Sequence, residues 1–164
     1  MKFICNNKYE FQNNSIGLPV EIQNLPGQLL IEGNTLVAKN SFHVSLVCIE
    51  QIMEKYNVSI FDFEDKVISD FCEFEKNNDV KIIKYKDFKF VSKNDKKSVV
   101  VMCEVSNLYK FFKIINEKYK LDIEYPPTHV TLYTLEGKPG IFLTDASDIK
   151  NLTKPISNPI SLSL

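Results

Sequence analysis

Arginine is absent from this chain: all 20 basic residues are lysine, and 21 acidic residues leave a formal net charge of −1. Without guanidinium forks, any bound phosphate has to be held by ammonium groups, hydroxyls and backbone amides. The near-zero charge also argues against gripping a long duplex, where phosphate neutralisation dominates affinity, so duplex DNA is excluded as a partner. No apolar run approaches the ~20 residues a membrane span requires, and the start, Met1-Lys2-Phe3-Ile4-Cys5-Asn6-Asn7, has no signal-peptide core. No membrane partner and a cytoplasmic location are the expectations. The four cysteines, Cys5, Cys48, Cys72 and Cys103, form no C-x-x-C pair, which speaks against zinc ligation and a dithiol redox motif. Cys48 and Cys103 lie among apolar neighbours and read as buried free thiols in a reducing compartment.

What is present fits one ordinary globular domain over residues 1–164, long enough to bury a substantial core, with 44% hydrophobic and 25% charged residues marking a soluble protein. A monomer is expected.

The chain has only two histidines, and both fall in the same local pattern: His43-Val44-Ser45-Leu46 and His129-Val130-Thr131-Leu132. In an extended strand, residues two apart share a face. Each segment therefore presents an imidazole and a hydroxyl on one side and two aliphatic side chains on the other. Histidine is the side chain whose ordinary pKa, about 6.5, lies near neutrality, so one imidazole can accept a proton while the other donates one. A phosphodiester held between the two segments would meet an acid, a base and two hydroxyl donors.

This doublet resembles the two-histidine phosphoesterase superfamily, whose signature is a pair of H-x-(S/T)-x motifs about half a domain apart. The resemblance implies metal-independent chemistry, with no cofactor, on a 2',3'-cyclic phosphate or a 2'-5' linkage of a nucleotide or RNA end. It implies His43 and His129 as the catalytic pair and Ser45 and Thr131 as phosphate-orienting hydroxyls. Its fold would be α+β and bilobal, with two mainly antiparallel sheets flanked by helices and a central cleft. Relatives that place an arginine near a motif have no counterpart here. Two other readings stand beside this one. The first is a catalytically silent module that binds nucleotides or RNA ends. The second makes the histidines metal ligands, for which no third ligand of suitable spacing lies nearby.

The rest of the chain is read by periodicity and turn chemistry. Residues 1–27 read as irregular, or as a short strand with loops ending at Leu25-Pro26-Gly27. A hairpin is expected about Glu32-Gly33-Asn34, its second strand running on into the first motif, either unbroken or with a break at Asn40. Were that strand unbroken, Lys39 would share the face of His43. Helices are predicted over Glu50 to Tyr56 and Phe61 to Lys76; in the second, Phe63, Val67, Phe71 and Phe74 face inward and the acidic residues form a solvated surface. Val80 to Lys97 interleaves lysines with aromatics, a texture suited to single-stranded nucleic acid, but a hairpin turning at Asn94-Asp95-Lys96-Lys97 into a buried strand 98–103 is the favoured reading. Ser106-Asn107 offers a cap to a helix over Leu108 to Tyr119. Pro126-Pro127 precedes the second motif strand, along which Tyr133 has the parity of His129 and Thr131 and either stacks on a substrate base or simply packs. Ile141-Phe142-Leu143 is predicted as a strand, residues 145–154 as a short helix from Asp145, and Pro155 to Leu164 as a final strand or loose end. This element order suggests two lobes related by an approximate two-fold.

Overall fold

Turn chemistry and apolar periodicity account for most element boundaries in the computed structural model, which describes residues 1–157. The fold is α+β, with four helices among the described residues and a large antiparallel sheet. Its contacts divide the chain into two units.

The first unit comprises Met1–Pro19, Ser45–Lys81 and Val105–Tyr125. It holds β1 (Lys2–Ile4), β2 (Tyr9–Gln12) and β3 (Ser15–Val20, to Pro19), with helices α1 (Ile49–Lys55), α2 (Phe63–Glu75) and α3 (Leu108–Tyr119). The amino-terminal segment is thus a meander of three antiparallel strands rather than largely irregular. Its turns are built from asparagine: Asn13 and Asn14 both adopt positive φ between the paired residues Gln12 and Ser15, the backbone a two-residue hairpin turn needs and a conformation asparagine tolerates. The predicted stripe of α2 is the buried one, Phe63, Val67, Phe71 and Phe74, and α3 buries Leu108, Phe111, Phe112 and Ile115. Edge-on ring contacts join Tyr9 to Phe71 at 4.9 Å and Phe71 to Phe111 at 5.2 Å. Asn107 occupies the expected cap position of α3 but its side chain does not cap the helix. Its amide donates to the Asp79 carbonyl at 2.8 Å instead, so this polar pair ties two segments together.

Cys5 and Cys72 form a disulfide that fastens the β1–β2 turn to α2. Its sequence separation of 67 residues leaves no local trace in the sequence. Disulfides persist in oxidising compartments, so the bond stands against the expectation of a reducing one. Cys48 and Cys103 are free, as their surroundings suggest, and burial pushes each thiol up to about 11.

The second unit comprises Val20–Val44, Ile82–Glu104 and the described part of Pro126–Leu164. Strands β4 (Gln28–Ile31) and β5 (Asn34–Ala38) form the expected hairpin, with Glu32 and Gly33 both at positive φ between the paired Ile31 and Asn34. β5 runs antiparallel to β9 (His129–Leu135) until Ala38 meets Tyr133. After a break, β6 (Phe42–Cys48, of which Phe42–Val44 belong here) returns to β9 with Val44 opposite Val130. The break takes Lys39 out of any continuous alternation with His43. On its other side β9 pairs with β8 (Lys96–Val105), which follows β7 (Ile82–Lys93) through a turn of Asn94 and Asp95, shorter than the four residues expected because Lys96 and Lys97 already belong to β8. A last helix, α4 (Ala146–Leu152), starts where Asp145 accepts a bond from the Asp148 amide at 2.9 Å and leads into β10 (Thr153–Pro155), which pairs with β7. Residues 158–164 of the predicted tail lie outside the described residues.

Two expectations need correction. Ile141-Phe142-Leu143 forms no strand: Ile141 and Leu143 turn inward against Val91 and Val100 while Phe142 is exposed, so the alternation is real but side chains, not backbone pairing, hold it. The two units are also unlike in content. Among the described residues three helices fall in the first and one in the second, and both histidines belong to the second, not one to each.

Candidate active site

The motif strands form because one of their faces is wholly apolar. Val44 and Val130 are fully buried and directly opposite one another, whereas His43 and Thr131 are partly exposed. In an antiparallel pair with that register, His43 stands across from Thr131, on the side of the sheet away from the valines. His129 shares this side with Thr131. One unit therefore brings together His43, His129 and Thr131. Ser45, where the second segment of the first unit begins, is a partly exposed residue of β6.

Tyr133 is not part of this group. From Val99 to Val100, β8 advances one residue while β9 advances two, from Tyr133 to Thr131, so Leu132 is an extra residue in β9. The bulge breaks the parity that would set Tyr133 beside His129. Its ring is fully buried and its hydroxyl donates to the Pro26 carbonyl at 2.7 Å, leaving no ring face for a base to stack on.

His129 is the most constrained of the group. It is 9% exposed, and its Nδ1 lies 3.1 Å from the Pro127 carbonyl oxygen. A carbonyl only accepts, so Nδ1 carries the hydrogen, and in the neutral ring Nε2 keeps a free lone pair. Burial pulls the His129 pKa below the ordinary histidine range; the Pro127 bond opposes this and the charge of nearby His43 adds to it. The residue before it is clamped as well: Thr128 Oγ1 donates to the Cys103 carbonyl at 2.7 Å, and the Cys103 amide donates to the Thr128 carbonyl at 3.0 Å. The Pro126-Pro127 segment thus does more than launch a strand. It supplies the carbonyl that sets the tautomer.

Across β9 from these residues, Val100 pairs with Thr131 and Met102 with His129. Residues opposed in this way share a face, and here that face is covered by Ile141, Leu143, Ile149 and Leu152. Gly140, at the end of the turn sequence Gly137-Lys138-Pro139-Gly140, lies against Thr131. The lysine and aromatic texture of 80–97 resolves into structure: Phe88 and Phe90 are buried, and Lys84 and Lys89 pair with Glu104 and Asp87. Among the described residues no three His, Cys, Asp or Glu side chains converge as a metal site would require.

No protein-family model, curated protein or solved structure matches this chain. A functional reading therefore rests on the residues and their geometry.

Proposed function

We propose that this protein is a metal-independent phosphodiesterase acting on a 2',3'-cyclic phosphate or a 2'-5' linkage of a nucleotide or RNA end. The observation that carries the reading is the Nδ1–H bond of His129 to Pro127, beside His43 on the paired strand. A neutral imidazole with its tautomer fixed is a general base whose Nε2 can take a proton from water. With His129 neutral, the acid is His43. The hydroxide equivalent attacks phosphorus, the bond from phosphorus to one ribose oxygen breaks, and the His43 imidazolium gives that oxygen its proton. Water's proton ends on His129 and the acid's on the product, and exchange with solvent restores both. Thr131 donates its hydroxyl to a non-bridging phosphate oxygen, where charge builds in the transition state. The reading needs only the paired motif strands and does not depend on a two-fold frame.

The close enclosure of His129 favours a second reading, a silent module that holds a nucleotide or RNA end without cutting it. Turnover separates the two. A panel of 2',3'-cyclic nucleotides, RNA ending in a cyclic phosphate and 2'-5'-linked dinucleotides is incubated in excess EDTA with wild type, His43→Ala, His129→Ala and Ser45→Ala. Chelator-resistant hydrolysis that drops at least ~100-fold in each histidine variant is expected for the acid–base pair. Binding without hydrolysis by wild type selects the silent module, and loss of hydrolysis in EDTA restored by a divalent metal rejects the metal-free mechanism.

A further inference from the structure

The described glycines divide by the reason each is there. Gly33 and Gly137 have positive φ, which a side chain would strain. Gly140 does not, so its backbone asks for no glycine. The three heavy atoms nearest to a β-carbon built on Gly140 all belong to Thr131, at 3.6 Å for Oγ1, 3.6 Å for Cγ2 and 3.9 Å for Cβ. Those are ordinary van der Waals contacts, so a methyl group fits; a longer side chain would start its reach beside the hydroxyl.

The position of this loop is fixed from both sides. Before Gly140, the Lys138 amide donates to the Leu135 carbonyl at 2.9 Å and its ammonium pairs with Asp95 at 2.6 Å. After it, Ile141 and Leu143 are 5% and 4% exposed in the cluster with Val91 and Val100. Val100 is the β8 partner of Thr131, so the cluster and the hydroxyl are neighbours on one face. The loop thus runs beside the polar row, with residue 140 set against Thr131.

We infer that Gly140 is the aperture of the phosphate site: it is glycine because the phosphate oxygen that takes the Thr131 hydroxyl hydrogen, and the ester arm behind it, need the space a side chain at 140 would fill. This rests on the phosphodiesterase reading and adds a position that governs substrate entry. Gly140 is a specificity-determining residue here, not a catalytic one, since it offers no proton and no charge.

The test is a size series, Gly140→Ala, Gly140→Ser and Gly140→Leu, with Gly27→Leu as the control, because a β-carbon at Gly27 meets nothing within 4 Å. Unfolding midpoints establish that each variant is folded. Turnover is followed with adenosine 2',3'-cyclic phosphate, and binding with inorganic phosphate through the Thr131 and His129 amide resonances. Gly140→Ala and Gly27→Leu should stay near wild type. Gly140→Ser should be intermediate, and Gly140→Leu should raise KM by about tenfold or more with a smaller change in kcat, the pattern of lost binding rather than lost chemistry. The phosphate-induced shift at Thr131 should vanish in Gly140→Leu. Should that variant not fold, the Ala and Ser members carry the series, and a flat response across them overturns the inference. Wild-type turnover and phosphate response in Gly140→Leu overturn it while leaving the phosphodiesterase reading intact. A wild-type protein that neither turns over the cyclic substrate nor responds to phosphate at Thr131 overturns both.

Discussion

Val44 of β6 lies directly opposite Val130 of β9, and this one register relates the two histidine motifs. Because side chains alternate along a strand, two buried valines force His43 and Thr131 to the other side together. A slip of one residue would turn polar side chains onto the face the valines now occupy, which that apolar face penalises strongly. The chemistry of the row is thus secured by the packing beneath it. The same face explains why each motif needs an aliphatic residue after its histidine.

His129 should make stability fall in mild acid. Its pKa is below the ordinary value in the folded chain, so between about 6.5 and that lower value the unfolded state binds the proton and the folded state does not. The stabilisation is therefore complete above about 6.5 and is lost as pH falls through the folded pKa. Thermal midpoints recorded across this range should drop more steeply for wild type than for His129→Gln, and the acid limb of kcat/KM should lie below the normal histidine range. Parallel pH dependences for the two proteins would show that His129 titrates normally.

Tyr133 should matter to stability and not to catalysis. Tyr133→Phe removes the hydroxyl that donates to Pro26 but keeps the buried ring, so a loss of about 1 kcal/mol is expected. KM and kcat on the cyclic substrate should stay at wild-type values. A rise in KM at unchanged stability would return Tyr133 to the substrate.

These two residues also show how far a sequence can be read. His43, His129 and Thr131 were legible because the motif and the strand parity both concern neighbours in the chain. Tyr133 was misplaced because a bulge adds Leu132 to one strand, and a bulge is decided by the partner strand. The helices were legible because α2 and α3 repeat apolar residues at three and four over several turns. The meander β1–β3 was not: its strands are of three to six residues, and its turns use asparagine rather than the stronger turn signals of glycine and proline. The turn residues of Gly137 to Gly140 mark a loop, but that Gly140 lies against Thr131 is set by the fold and leaves no local pattern.

The Cys5–Cys72 bond should be a main support of the first unit. Cross-linking residues 67 apart restricts the unfolded chain by about 4 kcal/mol in the chain-entropy account. Thiol titration of the denatured protein should find two reactive groups, Cys48 and Cys103, before reduction and four after it. Reduction, or Cys72→Ser, should lower the denaturant midpoint by a corresponding amount. Four thiols in protein purified from its native source without reductant would restore the reducing-compartment expectation.

The loop beside Thr131 offers the sharpest separation of stability from function. Ile141→Ala and Val91→Ala each truncate a buried residue of the same cluster, and each should cost about 2–4 kcal/mol. Their consequences for the site differ. Ile141 is the residue next to Gly140, so its loss frees the loop that holds residue 140 against Thr131, whereas Val91 belongs to β7 and pairs with Thr153. Ile141→Ala should therefore raise KM for the cyclic substrate at temperatures where the protein is fully folded, and Val91→Ala should not. Equal changes in KM for the two variants would mean that the cluster acts on the site only through overall stability, and the loop would lose its separate role.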